Sequence, residues 1–351
     1  MSEKRFPAFR AACVYSGTIL GAGFASGQEL VRYFTRFGAA GFPGLLLMGA
    51  ALALGGWAAL DICTRRGLDN ASALMESLFG KRLGTALGVI VGVFIFVVFC
   101  AVVAGGGAMA REAFGLPYSV GVLAVAGICF VIFLFDLRGI VRLNMIVSPM
   151  LVVGGVFFGL YTAAARHAAV FGSADAALPT GNWMFSAGTY AAYNLLTAIS
   201  VLAGMRGGGL VTDARTARRA GLLGGGLMCL LGACFALPLY LRADLLAGAE
   251  LPLHRLAQNA GGLVEAFYLV LLAAAILASA VSNGFSAVAW LQSRLRWPPV
   301  AVKALVAFGG AAAAHIGFSA LVSRVYPLFG FVGFFVLAGV LIGFIGGRRD
   351  G

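Results

Sequence analysis

The chain has 351 residues, 61% of them hydrophobic and 11% charged, with a mean hydropathy of +0.97. A composition this apolar excludes a soluble domain. Without short alternating strands it also excludes an outer-membrane barrel, which leaves a polytopic α-helical membrane protein. The formal net charge is +12, but the basic residues fall between the apolar runs rather than in one patch. Topology signals are placed that way, so no nucleic-acid partner is expected.

The first span covers 8–37 and holds the stretch from Ser16 to Glu29. Gly17, Gly21, Gly23 and Gly27 cluster there, and each costs about 0.8–1 kcal/mol of helix propensity relative to Ala. The span is therefore expected to break in its middle, and unwound backbone at membrane depth belongs beside a cavity or inside protein. Lys4, Arg5 and Arg10 ahead of it read as a cytoplasmic tail rather than a signal peptide, because the rest of the chain is equally apolar. Further spans are expected at 40–62, 84–111, 117–136, 143–165, 182–204, 217–241, 262–292, 299–317 and 320–346, about ten in all. Between the second and third, Asp69 to Phe79 reads as a short amphipathic helix at the inner surface, with Asp69 or Asn70 as its cap. Arg166 to Thr180 and Ala243 to Leu256 read as outer loops. Eighteen of the 25 Lys and Arg fall on the side of the N-terminus, which predicts cytoplasmic termini and a bacterial inner-membrane location.

Halving the span count places the sixth span in the position of the first. Gly17-Thr18 and Gly188-Thr189 sit at corresponding depth, and the sixth span carries Tyr190, Tyr193 and Asn194 in its middle. Two inverted five-helix repeats are expected, about 8–166 and 181–346, with the first and sixth spans broken at the midplane.

Gly21-Ala-Gly23-Phe-Ala-Ser-Gly27 is near a dinucleotide fingerprint, but its last spacing is one residue too long and no strand precedes it. Gly17-x-x-x-Gly21 and Gly23-x-x-x-Gly27 also have the spacing of close helix packing. The polar run Ser26, Gln28 and Glu29 right behind them favours a functional break. Glu29 is the acidic residue most clearly inside a span. It reads either as a structural partner of Arg32 or as a proton, gate or substrate-amine site. Ser279, Ser282 and Ser286 share one helical face beside Asn283, a stripe suited either to helix packing or to a hard cation. The six cysteines form no C-x-x-C pair, and His167, His254 and His315 lie far apart, so no cofactor and no metal beyond sodium is expected.

The motif Gly21-Ala-Gly23-Phe-Ala-Ser-Gly27-Gln-Glu29, followed by Tyr33-Phe34-Thr35-Arg36-Phe37-Gly38, closely resembles the first helix of the YkvI-like family. These bacterial inner-membrane proteins are classed as amino-acid permeases, a distant branch of the amino acid–polyamine–cation superfamily with the LeuT fold. Gly17-x-x-x-Gly21-x-Gly23 is also similar to the helix 1 pattern of sodium-coupled LeuT-type transporters. That resemblance implies a sodium ion held by the carbonyls of Gly17, Leu20 and Ser279 and the side chains of Ser282 and Asn283. Asn283 departs from the hydroxyl usual at its position. The absence of Lys from the fifth span favours a cation over the lysine of some proton-coupled relatives.

Together these readings predict a secondary transporter, not an enzyme, working by alternating access on an amino acid or related amine. Gly21, Ala22, Gly23, Phe24, Ser26, Tyr190, Tyr193 and Asn194 are expected to line its site. The amides of Ala22 and Gly23 are expected to take a carboxylate. The rivals are a channel, a membrane enzyme and a non-transport sensor or structural protein on the same fold.

Overall fold

The computed structural model describes residues 6–135, 138–164, 181–243, 246 and 249–349, and among them every regular element is helical. Lys4, Arg5, Asp136, His167, the outer loop expected from Arg166 to Thr180 and the side chains of Arg138, Arg142, Arg348 and Arg349 lie outside the described residues.

The first span is three helical pieces, α1 (Pro7–Ile19), α2 (Ala22–Ala25) and α3 (Gln28–Tyr33). A 3-10 turn, Thr35–Ala40, leads into α4 (Gly41–Arg66). The run α5 (Ala71–Phe114) contains both the expected amphipathic arm and the third span. The Asn70 side chain caps it by accepting from the Ala73 amide at 2.8 Å. At Gly80 the backbone takes φ 76°, ψ 168°, and the arm turns into the span. The chain continues through α6 (Tyr118–Leu134), α7 (Arg138–Ala164), α8 (Trp183–Gly207) and α9 (Ala214–Leu241). Then come α10 (Pro252–Ala260), α11 (Gly262–Gln292), α12 (Pro299–Ala314), α13 (Phe318–Ala320), a π turn at Leu321–Val325 and α14 (Tyr326–Arg349). Among the described residues six stretches are long and apolar enough to cross a membrane, and α6 and α12 are shorter apolar helices. Side chains such as Leu46, Val153, Leu263 and Ile342 are exposed on the outside, as a lipid-facing surface requires.

Two expectations are corrected. The sixth span is not broken: Trp183 to Gly207 is one continuous helix. Its polar side chains bond back onto the helix itself, Thr189 Oγ1 to the Phe185 carbonyl at 2.8 Å and Thr197 Oγ1 to the Tyr193 carbonyl at 3.0 Å. Gly188 serves packing, since a Cβ there would meet the Phe334 ring. The loop expected from Ala243 to Leu256 contains the start of α10. This short helix buries Leu253, His254, Leu256 and Ala257 and exposes Arg255 and Gln258.

Small residues set the helix spacing. The α4–α9 interface is the most extensive among the described residues, and there Gly221 and Gly225 lie directly on the backbone of Trp57 and Ala53. Gly224 lies on the Tyr15 ring, and the Tyr15 hydroxyl donates to the Leu52 carbonyl at 2.8 Å. In this way α1 is fixed between α9 and α4. On its other side Ser148 of α7 donates to the Cys13 carbonyl at 2.8 Å. The first span is thus held in the centre of the bundle, and from Ala11 to Ile19 it is wholly buried.

Candidate functional site

The centre of the protein is defined by two breaks in the first span. At the first, Leu20 leaves the helix with φ −69°, ψ 65°. The Gly21 amide bonds the Ile19 carbonyl at 2.7 Å instead of reaching back to Gly17. The carbonyls of Gly17, Thr18 and Leu20 thereby lose the amides that would have satisfied them in a continuous helix. Gly21 is extended and has no side chain to cap the amides of Ala22 and Gly23. The second break is at Ser26-Gly27, where Gly27 adopts φ 84°, a left-handed value that favours glycine. Here the freed carbonyls are taken: Ala25 accepts from the Tyr268 hydroxyl and Ser26 from the Leu253 amide, each at 2.9 Å.

A cavity of about 20 Å³ lies against the first break, room for about one water. Its walls come from Thr18, Ile19, Gly21, Ala22, Gly23 and Glu29 of the first span, Val98, Ala101 and Val102 of α5, and Tyr193, Asn194 and Thr197 of α8. Ser279 of α11, Phe318 of α13 and Tyr326 of α14 complete them. Gly105, in the glycine triplet of α5, admits Ala22: a Cβ on it would strike the Ala22 side chain.

The turn at Gly27 aims Glu29 back at the break. Its carboxyl group lies where a side chain on Gly23 would be. The group is buried, and the Tyr190 hydroxyl donates to Glu29 Oε2 at 3.0 Å. Tyr33, Tyr190 and Tyr193 form a mutual ring cluster with centroids 5.2–5.6 Å apart, and Tyr326 stands 5.1 Å from Tyr193. The hydroxyls of Tyr33 and Tyr193 are buried and complete no hydrogen bond among the described residues. Arg32 is not the partner of Glu29. Its guanidinium donates to the Ser323 carbonyl in the π turn ahead of α14 and stands 6.0 Å from the Tyr33 ring centre.

Of the residues expected to hold solute, Gly21, Ala22, Gly23, Tyr193 and Asn194 line the cavity, and Tyr190 reaches it through Glu29. Phe24 does not. It packs on Phe235 at 5.9 Å and lines a second, apolar cavity between the first span, α9 and α11. The Ser26 hydroxyl stays in its own turn, donating to the Gly23 carbonyl at 3.1 Å and accepting from the Gln28 amide at 3.3 Å. Around the expected cation site, Ser279 lies directly over Gly21. Asn283 Nδ2 donates to the Ser279 carbonyl at 3.0 Å and to its hydroxyl at 3.1 Å, and Asn283 Oδ1 is buried without a partner. The sequence placed none of Thr18, Thr197, Phe318 and Tyr326 at the site, although all four line the cavity. The Gly105-Gly106-Gly107 triplet was the one local signal that the third span comes close to the break.

No family model matches the chain. It is similar to the membrane protein YkvI of Bacillus subtilis, 26% identical over 335 residues, which is 95% of this chain and 94% of that protein. It is also similar to the protein YyaD of the same organism, 24% identical over 336 residues, 93% of this chain and 94% of that one. Among solved structures it superposes on MhsT in complex with L-phenylalanine with a TM-score of 0.70 at 17% identity, covering 96% of this chain and 88% of that one. It superposes on a manganese transporter of Eremococcus coleocola with a TM-score of 0.65 at 13% identity, covering 95% and 78%. The chain is a YkvI homologue with the LeuT-type fold. The resemblance read from the first-span motif is thereby borne out.

Proposed function

We propose that this YkvI homologue is a secondary transporter that moves a small organic solute, an amino acid or a related amine, by alternating access. The observation that carries the reading is the buried cavity at a broken central helix, walled by a carboxylate, tyrosines and small apolar side chains. In transporters, discontinuous helices place free backbone groups at a midplane site between two halves of the protein. The similar solved structures point the same way, one being a manganese transporter and the other carrying L-phenylalanine. An organic solute is preferred to a metal ion because Val98, Val102, Phe318 and Tyr326 give the wall an apolar side. The two halves would be the repeats at about 8–166 and 181–346, set in the inner membrane with both termini cytoplasmic.

Coupling to a cation fits the same region, with sodium favoured over a proton. Gly17 and Leu20 have carbonyls without helical amides, and Asn283 Oδ1 is an oxygen without a partner. With Ser279 and Ser282 they would supply the roughly five oxygens that a sodium ion takes. Uptake into proteoliposomes, measured with a panel of amino acids and amines in sodium and in choline buffer, tests the reading. Saturable uptake is expected; uptake that never saturates, or none across the panel, would overturn it in favour of a channel or a sensor.

A further inference from the structure

We infer that the cavity at the first break is an ammonium site, built for a solute that carries a protonated amine and no carboxylate beside it. The inference deepens the transporter reading and rests on it for the transport step alone.

Three observations converge on one chemistry. The first is charge: among the described residues Glu29 is the one carboxylate that lines the cavity, and no Lys, Arg or His does. Arg32 is not among the lining residues; its guanidinium stands 6.0 Å from the Tyr33 ring centre and is held by the Ser323 carbonyl.

The second is position. The Glu29 carboxyl group lies over Gly23, at the head of α2, where the sequence reading put the carboxylate of a solute. Two carboxylates brought into contact there would repel in a site with little water to screen them. The protein's own carboxylate lies beside that place, which disfavours a solute carboxylate on the Ala22 and Gly23 amides. What the site lacks is the positive charge.

The third is the unfilled hydrogen-bonding capacity. Tyr190 occupies Glu29 Oε2, while the buried hydroxyl of Tyr193 in the cavity wall completes no hydrogen bond among the described residues. A buried polar group without a partner is costly, so a ligand that satisfies it is favoured. An ammonium group brings three N–H donors and no acceptor, which suits one carboxylate and the Tyr193 hydroxyl oxygen. The aromatic rings of Tyr33, Tyr190, Tyr193 and Tyr326 around the acid add attraction for a cation and none for an anion. The volume of about 20 Å³ fits the small head of such a solute.

The test compares n-butylamine with norvaline, the same carbon chain bearing a carboxylate, by calorimetric titration of the purified full chain in detergent. Butylamine is expected to bind, with norvaline weaker by about tenfold or more. Glu29→Gln is expected to weaken butylamine by about tenfold or more, and Tyr193→Phe, which removes only the unpartnered hydroxyl, by a few-fold. Melting curves show that each variant is folded. Norvaline binding as well as butylamine, no binding of either, or unchanged butylamine affinity in folded Glu29→Gln would each overturn the site. Uptake separates the two readings. Butylamine that binds but is never accumulated leaves the ammonium site standing and removes the transporter. Saturable norvaline uptake that is intact in Glu29→Gln does the reverse.

Discussion

The Glu29 carboxyl group occupies the space that Gly23 leaves by having no side chain. The two residues are six apart, a spacing that no single helix brings together on one face. They meet because Gly27, at φ 84°, ends α2 and starts α3 in a new direction.

Gly23→Ala follows from that contact. The new methyl group would strike the end of a flexible side chain rather than backbone. The fold is therefore expected to survive, with a stability loss at or below the usual overpacking cost of about 1–3 kcal/mol. The function is not, because Glu29 has to leave the cavity and its bond from Tyr190. Melting temperature near that of the parent with solute uptake reduced by about tenfold or more is the expected result. Full uptake in Gly23→Ala would show that the position of Glu29 does not matter.

How much of this was legible depends on whether the signal was local. The first break was, because four glycines inside an apolar span state a local backbone preference. The Asn70 cap and the arm up to Phe79 were legible for the same reason. The pairing of Glu29 with Tyr190 was not, since it joins residues 161 apart in sequence. Arg32 is three residues from Glu29, and local spacing pairs them; the fold sends Arg32 to Ser323, 291 residues away. In the sixth span the polar residues misled. Thr189 and Asn194 look like an interruption, yet each bonds a carbonyl one turn back, as Thr197 does, and the helix stays whole. Phe24 lies within the motif but on the opposite face of the four-residue helix α2, and nothing in the spacing of a doubly broken span fixes that rotation.

The α4–α9 interface predicts a contrast between two glycines. A methyl group at Gly225 would press on the Ala53 backbone, which cannot swing away. Gly225→Ala is expected to cost about 1–3 kcal/mol, or more if the helices must separate. Gly127, inside α6, has nothing near its missing side chain. Gly127→Ala is expected to be neutral or to stabilise by up to about 1 kcal/mol through helix propensity. Thermal melting of both variants in one detergent reads the difference, and a Gly225→Ala protein as stable as the parent would show that the helices are not in contact there.

Asp213 predicts a pH dependence outside the membrane-spanning segments. It caps α9, accepting from the Thr216 hydroxyl at 2.6 Å and the Thr216 amide at 2.9 Å. Those bonds, the hydroxyl first, hold its carboxyl below the usual carboxylate range. A group lowered in the folded state stabilises above its unfolded pKa, here about 3.9, and loses that contribution as pH falls through the lower folded value. Asp213→Ala is expected to cost about 1 kcal/mol at neutral pH. The gap between variant and parent melting should narrow as pH drops below about 4. A gap that stays constant across that window would mean that the ionised cap contributes nothing.

The coupling ion can be separated by two substitutions on different helices. If sodium bridges the first span and α11, it takes oxygens that the break releases at Gly17 and Leu20 and oxygens on Ser279, Ser282 and Asn283. Sodium would then favour whichever access state holds α11 closest to the break, and it shifts that equilibrium only through its different affinity for the two states. Ser282→Ala removes one side-chain oxygen and is expected to raise the sodium concentration for half-maximal uptake by about tenfold, the order of one charge-assisted contact, with the pH profile unchanged. A proton carried by Glu29 predicts the opposite: Glu29→Gln would flatten the pH profile and leave the sodium requirement intact. Measuring uptake of the same solute across sodium concentrations and across pH in both variants decides between them. Equal uptake in sodium and in choline at fixed pH by the parent protein would remove the sodium assignment, and Ser279, Ser282 and Asn283 would then be polar contacts that pack α11 against Gly21.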